Sequence, residues 1–228
     1  MDSRESRSER KKKEARERIL KAAEQLFMIE GNYEKCTIRD IAQRSDVSVG
    51  AVYLCFKNKI EMLAELVYLH SRRIREQLQA VVGQKKTGAE KLIAILDLFL
   101  TIRDDPQFKF YGRFSMERYT DLANSRVINV IQSEYIKIVD MVEEIFRIGN
   151  QDKTIITTDD CRLAATVFIQ MTHSFVRDLL LDLSPTSFLL PQPYSSDALI
   201  TAFITLVREA LCVKKDESAW IIHQKSID

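Results

Sequence analysis

The chain has 228 residues, 46% of them hydrophobic and 29% charged, with a formal net charge of +1. This is the balance of a soluble globular protein of one or two domains with a real core, and as a whole it points to no polyanion partner. The N-terminal stretch MDSRESRSERKKKEARER lacks the apolar segment of a secretory signal, and no apolar run reaches the length of a membrane span, so a cytoplasmic protein with no membrane partner is expected.

Charge is unevenly spread. Residues 1–60 hold 14 Lys/Arg against 10 Asp/Glu, and residues 61–228 hold 20 against 23. A basic first quarter on a mildly acidic body hints at a polyanion-facing end. The four cysteines, Cys36, Cys55, Cys161 and Cys212, are scattered without a CxxC pair, as expected of reduced thiols.

In chain order, residues 1–13 read as a flexible basic arm. Its charges offer phosphate or minor-groove contacts, or simply keep the end solvated. Ile19, Ala22, Ala23, Leu26 and Phe27 then recur at helical spacing until Gly31. Thr37 caps a short helix, IRDIAQR, with Asp40 three positions on, a variant of the capping box. The segment SDVS reads as a tight turn, and Ser48 caps a second short helix. Asn58 and Glu61 repeat the capping pattern and open a long helix carrying Ile60, Leu63, Ala64, Val67, Ile74, Leu78 and Val81 on one stripe. Amphipathic helices follow near 88–104, 106–120, 124–148, 158–183 and 195–214. Gly and Pro, with 6 and 4 copies, fall mostly between them. KTIITT at 153–158 reads as a loop. The helices near 158–183 and 195–214 are apolar over much of their circumference, which suits burial against a second copy as well as the home core. The expected fold class is all-α. A basic arm (1–13) precedes an N-terminal domain of short helices (14–60), a second helical domain (61–215) and a tail (216–228) whose Trp220 has no assigned role.

Two short helices joined by a turn, the second presenting small residues, form a helix-turn-helix pattern. Val52 and Phe56 point inward, and Val47 plugs the turn. Ser48, Val49, Gly50, Ala51 and Leu54 face outward. Gly50 permits close backbone approach to a phosphate, Ser48 offers a hydroxyl, and Val49, Ala51 and Leu54 can touch thymine methyl groups.

The stretch RILKAAEQLFMIEGNYEKCTIRDIAQRSDVSVGAVYLCFKNKIEMLAEL, residues 18–66, resembles the DNA-binding domain of TetR-type transcriptional regulators. The likeness rests on I-xx-AA-xx-LF, the Gly ahead of TI-x-DIA, VS-x-G-x-VY and F-x-NK. It implies a three-helix N-terminal DNA-binding domain followed by a helical effector-binding and dimerisation domain. It further implies a homodimer through the last two long helices and, as the common mode, a repressor released from a near-palindromic operator by a small molecule. A ligand-dependent activator and a nonspecific DNA-binding structural protein are the alternatives. Carried over by position, Thr37, Arg39 and Lys59 match residues that touch phosphate or base, Ser48 to Ala51 match the recognition edge, and Tyr53 matches a phosphate-contacting Tyr. Leu54 and Cys55 depart from the aromatic or His residues often found there, which takes away the phosphate hydrogen bonds such residues can make and leaves Leu54 an apolar contact.

The same likeness implies an effector pocket within 88–183. Polar or aromatic residues in apolar surroundings are its candidates: Phe108, Tyr111, Tyr119, Gln170, His173 and Arg177, each of which also reads as ordinary packing. The apolar setting favours a hydrophobic or amphipathic effector. No HExxH, G-x-S-x-G, phosphate loop or zinc spacing occurs, so neither an enzyme nor a metal or cofactor site is expected.

Overall fold

The computed structural model describes residues 7–29, 33–102, 105–117, 128–156, 159–180 and 194–212. Nearly all of these are helical, in nine helices: α1 (Arg7–Ile29), α2 (Ile38–Ser45), α3 (Val49–Cys55), α4 (Lys59–Gly83), α5 (Gly88–Ile102), α6 (Pro106–Glu117), α7 (Ile128–Asp152), α8 (Cys161–Leu180) and α9 (Ser196–Leu211). The all-α architecture is as expected. The segment read as a loop at 153–158 contributes one isolated antiparallel bridge, Ile155 to Cys212.

Two compact units divide the chain. The first takes the described residues of 1–73 and 106–134, the second those of 74–105 and 135–212. The dividing points fall inside α4 and α7 rather than at residue 60. Helix α6, expected in the second domain, therefore groups with the N-terminal helices, and its Tyr111 is buried in their core.

The first core is built by the periodic residues of α1 (Ile19, Ala23, Leu26, Phe27), by Ile41 and Ala42 of α2, by Val52 and Phe56, and by Met62, Leu63 and Ala64 of α4. Burying each large aliphatic or aromatic side chain contributes about 1.5–3 kcal/mol. Helix α1 starts at Arg7, so residues 7–13 are helical where a flexible arm was expected. Arg, Lys and Glu are good helix formers, and Arg10 pairs with Glu14 one turn on.

The second core gathers Leu92, Ile95 and Leu96 of α5, Val142, Ile145 and Phe146 of α7, Ala165, Phe168 and Ile169 of α8, and Ile204 and Val207 of α9. The start of α5 is pressed against the end of α7: a Cβ on Gly88 would lie 2.4 Å from the Gly149 Cα, so only glycine fits. Asp152 Oδ2 accepts from the Gly88 N–H (2.8 Å) and Thr154 Oγ1 from the Ala89 N–H (3.0 Å), closing the α5 N-terminus. Phe175 of α8 and Phe203 of α9 stack with ring centroids 4.1 Å apart. Outside this core, α8 presents Leu163, Val167 and Met171 to solvent at four-residue spacing, and α9 presents Leu206.

Candidate nucleic-acid interface

The α2–α3 pair is fixed by local chemistry at each end. Thr37 Oγ1 accepts from the Asp40 N–H (3.2 Å) while Asp40 Oδ2 accepts from the Thr37 N–H (2.8 Å) and hydroxyl (2.7 Å), a reciprocal cap at the start of α2. The Thr37 hydroxyl and then its backbone N–H hold the Asp40 carboxyl below its ordinary value. At the other end Asp46 takes a left-handed conformation (φ 53°), and its N–H reaches the carbonyls of Ala42 and Gln43. The Val47 N–H returns to Ala42 O at 3.1 Å, and the Val47 side chain packs against the first core. Ser48 Oγ then accepts from the Ala51 N–H at 3.1 Å and starts α3. Every one of these hydrogen bonds spans five residues or fewer.

Val52 and Phe56 are buried at 0% and 2% exposure, which turns the opposite side of α3 outward. Ser48, Val49, Gly50, Tyr53 and Leu54 are exposed, Leu54 by 80%, and Ala51 is half-buried. The structure thus brings the expected recognition residues onto one open face, with Thr37 and Arg39 exposed at the start of α2. Leu54 makes no contribution to the core from this position and leaves an apolar surface on the same face as Val49. Gly50 has no packing reason to be glycine. A Cβ there would meet only Ser48 Oγ, at 3.8 Å.

Lys59 is the exception. Its ammonium donates to the backbone carbonyls of Tyr33 (2.7 Å), Cys36 (2.7 Å) and Glu34 (3.4 Å), and lies 4.6 Å from the centre of the Tyr33 ring. An ammonium has three donors, and all three point at the loop between α1 and α2. Here, where Lys59 was expected to touch phosphate, the ammonium staples the loop by satisfying its carbonyls. Its partners lie 23 to 26 positions away, beyond any local pattern.

Sequence reasoning also missed two long-range polar clusters in this unit. Arg16 of α1 contacts Glu65 and the Cys55 carbonyl. Glu24 Oε1 accepts from the Tyr111 hydroxyl (2.8 Å) and from Gln107 Nε2 (3.1 Å), joining α1 to α6. Burial first, and then the Glu24 carboxylate, push the Tyr111 phenol well above its ordinary value.

Four of the effector candidates are described, two in each unit. Phe108 and Tyr111 belong to the first unit, where both rings lie near His70, with centroids 6.1 and 4.6 Å away. Tyr111 spends its polar handle on Glu24, as a packed core tyrosine does. Gln170 and His173 are exposed on α8 in the second unit, so each faces solvent rather than an enclosed cavity. Tyr119, the Arg177 side chain and the tail with Trp220 lie outside the described residues. Among the described residues no group of three or more His, Cys, Asp or Glu is placed to hold a metal, and no helix is long and apolar enough to cross a membrane.

Comparison with known proteins agrees with this geometry. Residues 19–66 match the family model described as bacterial regulatory proteins, tetR family. The fatty acid metabolism regulator protein of Bacillus subtilis is 27% identical over 123 residues, which cover 54% of this chain and 62% of that protein. The crystal structure of the transcriptional regulator FadR from Bacillus subtilis in complex with stearoyl-CoA superposes with a TM-score of 0.63, covering 84% of this chain and 96% of that one at 21% identity. That of AibR in complex with isovaleryl coenzyme A and operator DNA gives a TM-score of 0.59, covering 84% and 97% at 18% identity. At such identities the structural likenesses speak for the fold.

Proposed function

We propose that this chain, whose residues 19–66 match the family model of bacterial regulatory proteins, tetR family, is a transcriptional regulator that acts as a homodimeric cytoplasmic repressor. It binds a near-palindromic operator through α3 in the major groove and leaves it when a small amphipathic effector binds the second unit. The observation that carries the DNA-reading part is the open face of α3: Val49, Gly50, Tyr53 and Leu54 turned to solvent while Val52 and Phe56 lock the helix from behind. Ser48 keeps its hydroxyl hydrogen for a phosphate or base edge, and Arg39 and Tyr53 flank the groove walls. Lys59 is left out of this set.

The homodimer is supported by the apolar stripe Leu163, Val167 and Met171 on α8 and by Leu206 on α9, all large apolar side chains between 46% and 69% exposed. A stripe of that kind is normally covered. Two copies joined there carry two recognition helices, which calls for half-sites one helical turn or a multiple of it apart. An amphipathic effector is supported by relatives whose structures hold stearoyl-CoA and isovaleryl coenzyme A. The effector acts only if it favours one arrangement of the two DNA-reading heads over the other.

Footprinting on the DNA flanking the protein's own coding region tests the reading. A protected pair of inverted half-sites that disappears on adding stearoyl-CoA is expected. A footprint that strengthens with the ligand makes the protein an activator or co-repressed regulator, and random coverage removes sequence-specific recognition.

A further inference from the structure

The recognition helix has its own anchor, and the anchor lies outside the α2–α3 motif. Arg16 sits midway along α1. Its guanidinium donates Nη1 to the carbonyl of Cys55 (2.8 Å) and Nε to Glu65 Oε1 (3.2 Å), and its Nη2 reaches Glu65 Oε2. The same group lies 4.2 Å over the centre of the Phe56 ring. Cys55 is the last residue of α3, Phe56 its C-cap, and Glu65 the second turn of α4. One planar side chain therefore joins three helices and satisfies a terminal carbonyl of α3 that has no partner within the helix. A cation at that end is also favoured by the helix dipole.

Only an arginine can do all of this at once. Its fork takes both carboxylate oxygens in one plane, a third donor points sideways to the carbonyl, and the flat face covers an aromatic ring. Arg16 and Glu65 are partly covered, with side chains 39% and 22% exposed. An isolated surface ion pair in that setting contributes little to stability. The yield lies in geometry. Ser48, the N-cap of α3, and Val49, Gly50, Tyr53 and Leu54 of α3 form the open face, and the helix has only seven residues, so rotation about its C-terminal end swings the whole face.

We propose that Arg16 is a positioning residue for DNA reading. It sets the angle at which α3 presents its face, and so governs base discrimination without touching DNA. This rests on the DNA-reading function proposed above. Positioning errors weaken contacts to base edges, which are directional, far more than contacts to phosphates, which tolerate displacement.

The test uses full-length Arg16→Lys and Glu65→Gln proteins, with the DNA selected by the wild type from a random duplex library and a scrambled duplex as control. Lysine keeps the charge and loses the fork. Affinity for the selected site is expected to fall about tenfold, the size of one lost base-pair contact. Affinity for the scrambled duplex and the slope of log K against log salt stay unchanged. Glu65→Gln is expected to shift the specificity ratio in the same direction, and the two changes combined to cost less than their sum. Circular dichroism reports folding; should Arg16→Lys fail to fold, Glu65→Gln alone decides. An unchanged specificity ratio in the folded variants overturns the assignment. So does a salt slope shallower by about one in a folded Arg16→Gln protein, where the charge itself is removed, which would make Arg16 a phosphate contact. A wild-type protein that selects no site refutes the DNA-reading function itself, a different failure.

Discussion

Replacing Lys59 by methionine keeps the length and apolar stem of the side chain and deletes the ammonium. Two of its three hydrogen bonds are short (2.7 Å to Tyr33 O and to Cys36 O), while the third, at 3.4 Å to Glu34 O, is weak. A hydrogen bond from a charged donor contributes about 1.5–3 kcal/mol, and the partly exposed site places both bonds at the low end. The ammonium over Tyr33 adds about 0.5–1 kcal/mol. Water can reach some of the released carbonyls, so the net destabilisation is about 2–4 kcal/mol. Urea unfolding should show a lower midpoint with the slope unchanged. DNA titrations over a range of salt should show weaker binding with the wild-type salt slope, because no phosphate contact is removed. An unchanged unfolding midpoint together with a salt slope shallower by about 0.9 would mean that the ammonium does not hold the loop and would return Lys59 to the phosphate contacts.

Gly50→Ala should fold as the wild type does, since its Cβ enters open space, yet bind the selected duplex about tenfold more weakly, the scale of one lost base-pair contact; unchanged binding takes Gly50 off the interface. Thr37→Ala should cost about 1 kcal/mol at neutral pH through loss of the α2 cap. Because Thr37 holds Asp40 below its ordinary value, the wild type carries a contribution that is full above that value and disappears as pH falls through the lowered one. The variant should therefore lose less stability on acidification below about pH 4 than the wild type, and parallel acid unfolding curves contradict this. Val167→Glu places a charge at the centre of the exposed α8 stripe and should yield a folded monomer by sedimentation velocity; a persisting dimer moves the interface elsewhere.

What could be read from the sequence is what is local. The α2 capping box joins residues 37 and 40, Ser48 caps residue 51, and the inward pair Val52 and Phe56 is one turn apart, so periodicity and capping chemistry specify them directly. The described helices begin within about four residues of the expected positions from α5 onward, as capping and frayed ends allow. Tertiary choices left no such trace. Nothing near Lys59 states that its ammonium turns back to the loop at 33–36. Nothing near Arg16 points to Cys55 and Glu65, 39 and 49 positions away. Helix α6 is ordinary by pattern, and its place beside α1 depends on Tyr111 meeting Glu24, 87 positions apart. The arm at 7–13 misled for another reason: a stretch polar on all sides carries no periodicity, although Arg, Lys and Glu support a helix once α1 is nucleated. The effector candidates rest on polar or aromatic residues within apolar stretches, and that pattern does not reveal which face of a helix is buried.

The central claim is that the open face of α3 reads a DNA sequence. Its most direct measurement is the affinity of the purified full-length protein for the DNA flanking its own coding region, against a scrambled duplex of equal length, at physiological salt. A preference of about 10³-fold or more is expected, with inverted half-sites in the protected region. Near-equal affinity for both duplexes, with and without stearoyl-CoA, and no site recovered from a random library, would contradict it.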